Sequence, residues 1–102
     1  MKEYQVTNTN FKRATEGLKE SQGKIYIIQI LQGLNDKVSN FIETVIEKVA
    51  KENGKNCKGI ETAIRNSIIN GKKSKAECLK EFKSTPSVIE FLKYWSKESK
   101  KI

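Results

Sequence analysis

Apolar side chains recur at helical spacing along most of this chain, and the clearest run is Val38, Phe41, Ile42, Val45, Ile46 and Val49. That 3.6-residue period predicts an amphipathic helix capped by Asn35 or Asp36 and running to Ala50. Asn53-Gly54 closes it, because glycine readily takes the left-handed conformation just past a helix end. Asn56 is then the natural cap of a second helix, whose inward face is Ile60, Ala63, Ile64, Ser67 and Ile68 and whose stop signal is Asn70-Gly71. Residues 41–71 therefore read as helix, a polar turn Asn53-Gly54-Lys55-Asn56, and helix, the parts of a helix-turn-helix.

The flanks are less regular. Tyr4 and Val6 alternate weakly, a pattern for a short strand or an arm. Phe11 to Glu20 predicts a helix capped by Asn10, with Phe11, Ala14, Thr15 and Leu18 on one face, although Gly17 weakens it. Ser21-Gln22-Gly23 breaks the chain. Lys24 to Leu34 stays open: Ile25-Tyr26-Ile27-Ile28-Gln29-Ile30-Leu31 suits a buried strand and a buried helix equally. As a strand it pairs with residues 4–8 in a hairpin; as a helix it makes the domain all-α.

Beyond the second helix, Ser74 and Glu77 have capping-box spacing and predict a short helix over Lys75–Lys83 that buries Ala76, Cys78, Leu79 and Phe82. Thr85-Pro86 opens a last helix that draws its buried face from Val88, Ile89, Phe91, Leu92 and Trp95 and frays from Lys97 onward. The expected architecture is mainly α, a helix-turn-helix of the winged-helix-like class with about five helices in one domain over residues 1–102. Any wing has to come from the N-terminal β-hairpin, because the span after residue 71 reads helical.

Charge places a partner on this scaffold. The formal net charge is +8, yet residues 1–50 contribute +1 and residues 51–102 contribute +7. A basic excess that begins at the turn favours a polyanion, nucleic acid above all. Only Arg13 and Arg65 are Arg; the other eighteen basic residues are Lys, which suit phosphate better than the edge of guanine.

The chemistry that remains is binding rather than catalysis. There is no His, and Cys57 and Cys78 are too few to build a zinc site, so neither metal nor cofactor is expected. No pair of carboxylates stands apart from ordinary solvated helix faces, so no enzymatic activity and no small-molecule substrate are expected. No signal peptide or membrane span is visible, which predicts a cytoplasmic protein with reduced thiols. With Ile60, Ile64 and Ile68 turned inward, the second helix presents Lys58, Thr62, Arg65 and Asn66 as base-reading candidates, with Glu61 and Ile69 on the same outward side. Lys55, Asn56, Lys72, Lys73 and Lys75 are the phosphate candidates, and Lys12, Arg13 and Lys24 a second set near the N-terminus.

Ile60-Glu61-Thr62-Ala63-Ile64-Arg65-Asn66-Ser67-Ile68 resembles the recognition helix of the C-terminal DNA-binding effector domain of the master sporulation response regulator of bacilli and clostridia, whose pattern is aliphatic-Glu-Arg-Ala-Ile-Arg. Val49-Ala50-Lys51, Ser84 to Leu92 and Gly23 to Ile28 are similar to further segments of that family. The resemblance implies a helix-turn-helix that reads double-stranded DNA. Glu61 and Arg65 match the family pattern, whereas Thr62 stands where the family has Arg and Gly59 where it has a long polar residue. None of the 102 residues reads as a phosphorylatable receiver domain, so regulation by phosphorylation is not expected from them. The expected function is sequence-specific, non-catalytic DNA binding by a homodimer, in transcription control or in marking a plasmid or phage site such as an origin of transfer. The rival is a small module that docks on a host protein, and salt dependence separates the two.

Overall fold

The computed structural model describes residues 13–35 and 41–99. Its helices are α1 (Gln22–Asn35), α2 (Ile42–Glu52), α3 (Cys57–Lys73) and α4 (Val88–Ser99), with one 3-10 turn at Glu77–Leu79. The chain is mainly helical, and no strand occurs among the described residues.

The open question at residues 24–34 resolves as helix. Gly23, Tyr26, Ile27, Ile30, Leu31 and Leu34 are the buried positions of α1, a spacing of three and four that a strand cannot produce. β-branching costs helix propensity only a few tenths of a kcal/mol per residue, whereas burying each large apolar side chain returns about 1.5–3 kcal/mol. Ser21 caps the helix, its Oγ accepting from Lys24 N at 3.3 Å. With residues 24–34 helical, the expected hairpin loses its second strand; residues 4–8 lie outside the described part. α1 is the central element and packs against α2, α3 and α4. It crosses α3 so closely that a methyl group on Gly23 would overlap Ser67 Oγ and the Ala63 carbonyl.

Five expected boundaries move. The helix expected over Phe11–Glu20 ends at Ala14, where Thr15-Glu16-Gly17 turns the chain with Gly17 at φ 89°. Ala14 and Leu18 still face the core, and Glu16 O accepts from Cys78 N at 3.1 Å. Asn35 is the last residue of α1 and does not cap α2, which starts at Ile42 after an extended Phe41 that is 70% exposed. Asp36 and Val38 lie outside the described residues.

The third shift is at Gly71, which lies inside α3 and does not end it. Its bare Cα lets the helix settle on Leu18 and Leu79, whose methyl carbons would stand 2.6 Å from a Cβ there. The fourth follows from it. Ser74 becomes the C-cap of α3, its Oγ donating back to Gly71 O at 3.2 Å, so it starts no capping box with Glu77. Only the short 3-10 turn forms where a helix over 75–83 was expected. The capping box sits instead at Ser87 and Glu90: Ser87 N donates to Glu90 Oε1 at 2.9 Å and Glu90 N to Ser87 Oγ at 3.1 Å. Pro86 therefore precedes the cap, and Thr85 is not it.

α4 turns Val88, Phe91, Leu92 and Trp95 into the core. Phe82, Phe91, Tyr94 and Trp95 form a chain of tilted and edge-on ring contacts, and Trp95 Nε1 donates to Cys78 O at 3.4 Å. Phe91 and Trp95 are thus spent on the interior and offer no surface to a partner.

Candidate nucleic-acid interface

The turn between α2 and α3 is held by hydrogen bonds at every residue. Asn53 Nδ2 donates to Val49 O at 2.7 Å and to Gln29 Oε1 at 2.9 Å, which ties the end of α2 to α1. Gly54 N donates to Lys51 O and Lys55 N to Ala50 O, with Gly54 at φ 66°. Asn56 Oδ1 accepts from Gly59 N at 2.7 Å and starts α3. The expected stop, turn and cap are all present.

Burial sets how α3 faces. Ile60, Ile64 and Ile68 are 0–1% exposed, with Ala63 and Ser67 half-buried beside them. At about 100° per residue, Lys58, Thr62, Arg65, Asn66, Ile69 and Lys73 then share an outward arc of about 100°. All six are exposed. Glu61, the sole acid of α3, is half-buried at the margin of that arc. Among the described residues no carboxylate pairs with Lys55, Lys58, Arg65 or Lys73; the ion pairs are Glu20–Lys24, Lys48–Glu52 and Glu77–Lys80. The stripe is therefore cationic without internal neutralisation.

The four base-reading candidates, Lys58, Thr62, Arg65 and Asn66, come together on this stripe. Lys55 and Asn56 lie at its N-terminal end, although the Oδ1 of Asn56 is already engaged as the cap. Lys73 and Lys75 are exposed at the other end, Lys75 in a left-handed conformation with φ 59°. Lys72 is placed differently: it is half-buried and its Nζ donates to Phe82 O at 2.6 Å, pinning the segment after the 3-10 turn to α3. Of the second set, Lys24 is bound to Glu20 at 2.7 Å and the Arg13 guanidinium lies over the Trp95 ring at 5.5 Å. Both have structural employment away from the stripe; Lys12 lies outside the described residues.

A groove of about 680 Å³ runs beside the C-terminal half of the stripe, between Lys19–Gly23 and α3. Asn66, Asn70 and Lys73 line one side, Lys19, Ser21 and Glu20, the last paired with Lys24, the other, and Ser21 Oγ meets Ser67 Oγ at 3.1 Å between them. Lys19 and Asn70 were not among the sequence candidates. Asn70 carried a legible signal, since it lies one turn after Asn66. Lys19 carried none, because the close approach of the two elements is tertiary.

The two thiols are poor chemical centres. Burial pushes the Cys78 thiol up to about 12, where it stays protonated and unreactive at neutral pH. Cys57 is half-buried at the start of α3 and packs against the core. Among the described residues no cluster of three or more His, Cys, Asp or Glu is arranged to hold a metal, and no helix is long and apolar enough to cross a membrane. Comparison with protein-family models, with curated proteins and with solved structures finds no match to this chain.

Proposed function

We propose that this chain binds double-stranded DNA through a helix-turn-helix, with α3 as the helix that enters the major groove. The observation that carries the reading is the outward arc of α3: three exposed cations, Lys58, Arg65 and Lys73, with Thr62 and Asn66 among them and no acid on the arc. Arg65 offers a bidentate fork to guanine and Asn66 an amide to adenine. Lys55, Lys58, Lys73, Lys75 and, across the groove, Lys19 contact phosphates. The resemblance of residues 60–68 to the sporulation effector domain supports the same assignment, with Thr62 and Gly59 marking a reading surface of this chain's own. The protein acts without catalysis, as a cytoplasmic homodimer on repeated half-sites, in transcription control or in marking a plasmid or phage site such as an origin of transfer.

Fluorescence anisotropy against a mixed-sequence duplex tests this. Five phosphate contacts predict that log affinity falls against log salt with a slope near about −4 to −5. Absence of binding at low salt defeats the proposal and favours the protein-docking reading. Selection from a random duplex pool then gives the target and, from the repeat of its motif, the oligomer.

A further inference from the structure

Ile69 stands on the outward arc of α3 without a place in the core. It is 37% exposed, whereas the adjacent Ile68 is 1% exposed and joins Ile60 and Ile64 in the apolar cluster. Its helical neighbours one turn away are Arg65, Asn66 and Lys73. An exposed isoleucine gives the helix nothing that alanine lacks, because β-branching lowers helix propensity. Among the described residues the other large exposed apolar side chains, Ile25 on α1 and Phe41 before α2, lie on other elements. Ile69 is thus an apolar side chain set among the groups of a polar surface that is proposed to meet base edges.

Resting on the DNA-binding reading, we propose that Ile69, together with the methyl group of Thr62, reads thymine methyls in the major groove, so that the stripe selects A·T-containing sites. The C5-methyl of thymine is the apolar feature of the major-groove edge and takes apolar contacts, including the threonine methyl. Thr62 and Ile69 are two helical turns apart, roughly 10 Å along the axis, which is about the rise of three base pairs. The two contacts therefore fall on different base pairs, with Asn66 between them to take adenine. Along the arc, Thr62, Asn66 and Ile69 match features of A·T pairs, and Arg65 matches guanine.

An alternating dA-dT copolymer and the same copolymer with dU for dT differ only in the 5-methyl group and form the test. Each methyl taken out of contact weakens binding about fourfold, so with two such contacts the wild-type chain should bind the dU copolymer about sixteenfold more weakly at low salt. Ile69→Ala should keep the helical content and unfolding midpoint of the wild type and lose only about fourfold between the two copolymers. Ile25→Ala should behave as wild type. Wild-type affinities for the two copolymers within twofold of each other overturn the thymine assignment, as does an unchanged preference of about sixteenfold in Ile69→Ala; DNA binding as such survives either result. Failure to bind these copolymers and an alternating dG-dC copolymer overturns the DNA reading and the assignment with it.

Discussion

Helices α3 and α4 solve the same packing problem and leave different surfaces behind. Each lays an apolar stripe against α1: Ile60, Ile64 and Ile68 on α3, and Val88, Phe91, Leu92 and Trp95 on α4. Each starts on a side-chain cap, from Asn56 and from the Ser87–Glu90 pair. Outside, α3 carries Lys58, Arg65, Lys72 and Lys73 against Glu61, whereas α4 carries Lys93 and Lys97 against Glu90 and Glu98. The chain's basic excess is thus not a uniform coat. Counting charges by helix, after burial has fixed which face is outward, locates the proposed binding surface more narrowly than net charge alone.

If the inner faces are equivalent, removing their largest members should cost similar stability. Phe91→Ala should destabilise by about 3–5 kcal/mol and Ile64→Ala by about 2–5 kcal/mol, read from urea unfolding midpoints. A loss under about 1 kcal/mol at either position would mean that helix is not seated as described. If the outer faces differ, the double reversal Lys58→Glu with Arg65→Glu should weaken duplex binding about a hundredfold or more. The matching reversal of Lys93 and Lys97 on α4 should leave binding within about threefold, since it touches no proposed contact. Equal losses from the two reversals would reduce the interface to net charge.

A pH titration sharpens the α4 side. Folded Cys78, whose carbonyl accepts from Trp95, keeps its proton to about pH 12 against an ordinary value of 9.0. Unfolding therefore releases a proton between those values, so this contribution is complete below pH 9 and is lost as pH rises toward 12. The slope is at most about 1.4 kcal/mol per pH unit; it should be missing from Cys78→Ala and so remain as the difference between wild type and that variant. The smallest effect concerns the caps: Asn56→Ala and Ser87→Ala should each cost about 1 kcal/mol, but only the former should also weaken duplex binding, because it loosens the first turn of the proposed reader.

Local signals carried the α2–turn–α3 unit well. The stop at Asn53-Gly54, the cap at Asn56 and the inward isoleucines are short-range features, settled by hydrogen bonds and periodicity within a few residues. The same kind of signal misled at Ser74. Ser74-Lys75-Ala76-Glu77 and Ser87-Val88-Ile89-Glu90 share one capping pattern, yet only the second opens a helix. Ser87 is followed by Val88, Phe91, Leu92 and Trp95 at helical spacing, and these find a core to enter. Ser74 closes α3 instead, because Gly71 lets that helix run on to Lys73 over Leu18 and Leu79.

The candidate site divides the same way. That Lys58, Thr62, Arg65 and Asn66 share a face follows from the helical period once the inward isoleucines are identified. That Lys72 is tied to Phe82 O, Lys24 to Glu20 and Arg13 to the Trp95 ring depends on partners 4 to 82 residues away in sequence, most of them beyond any local pattern. The groove wall formed by Lys19 is of the same origin.

The sequence by itself determined the α2–turn–α3 unit and the outward chemistry of its second helix, since caps, turns and periodicity act over one or two helical turns. Tertiary structure alone decided that the isoleucine-rich segment is the central helix, where α3 ends and α4 begins, and which cations remain unpaired. Those outcomes depend on which distant surfaces meet, and burial against them outweighs the few tenths of a kcal/mol per residue by which local preference separates helix from strand.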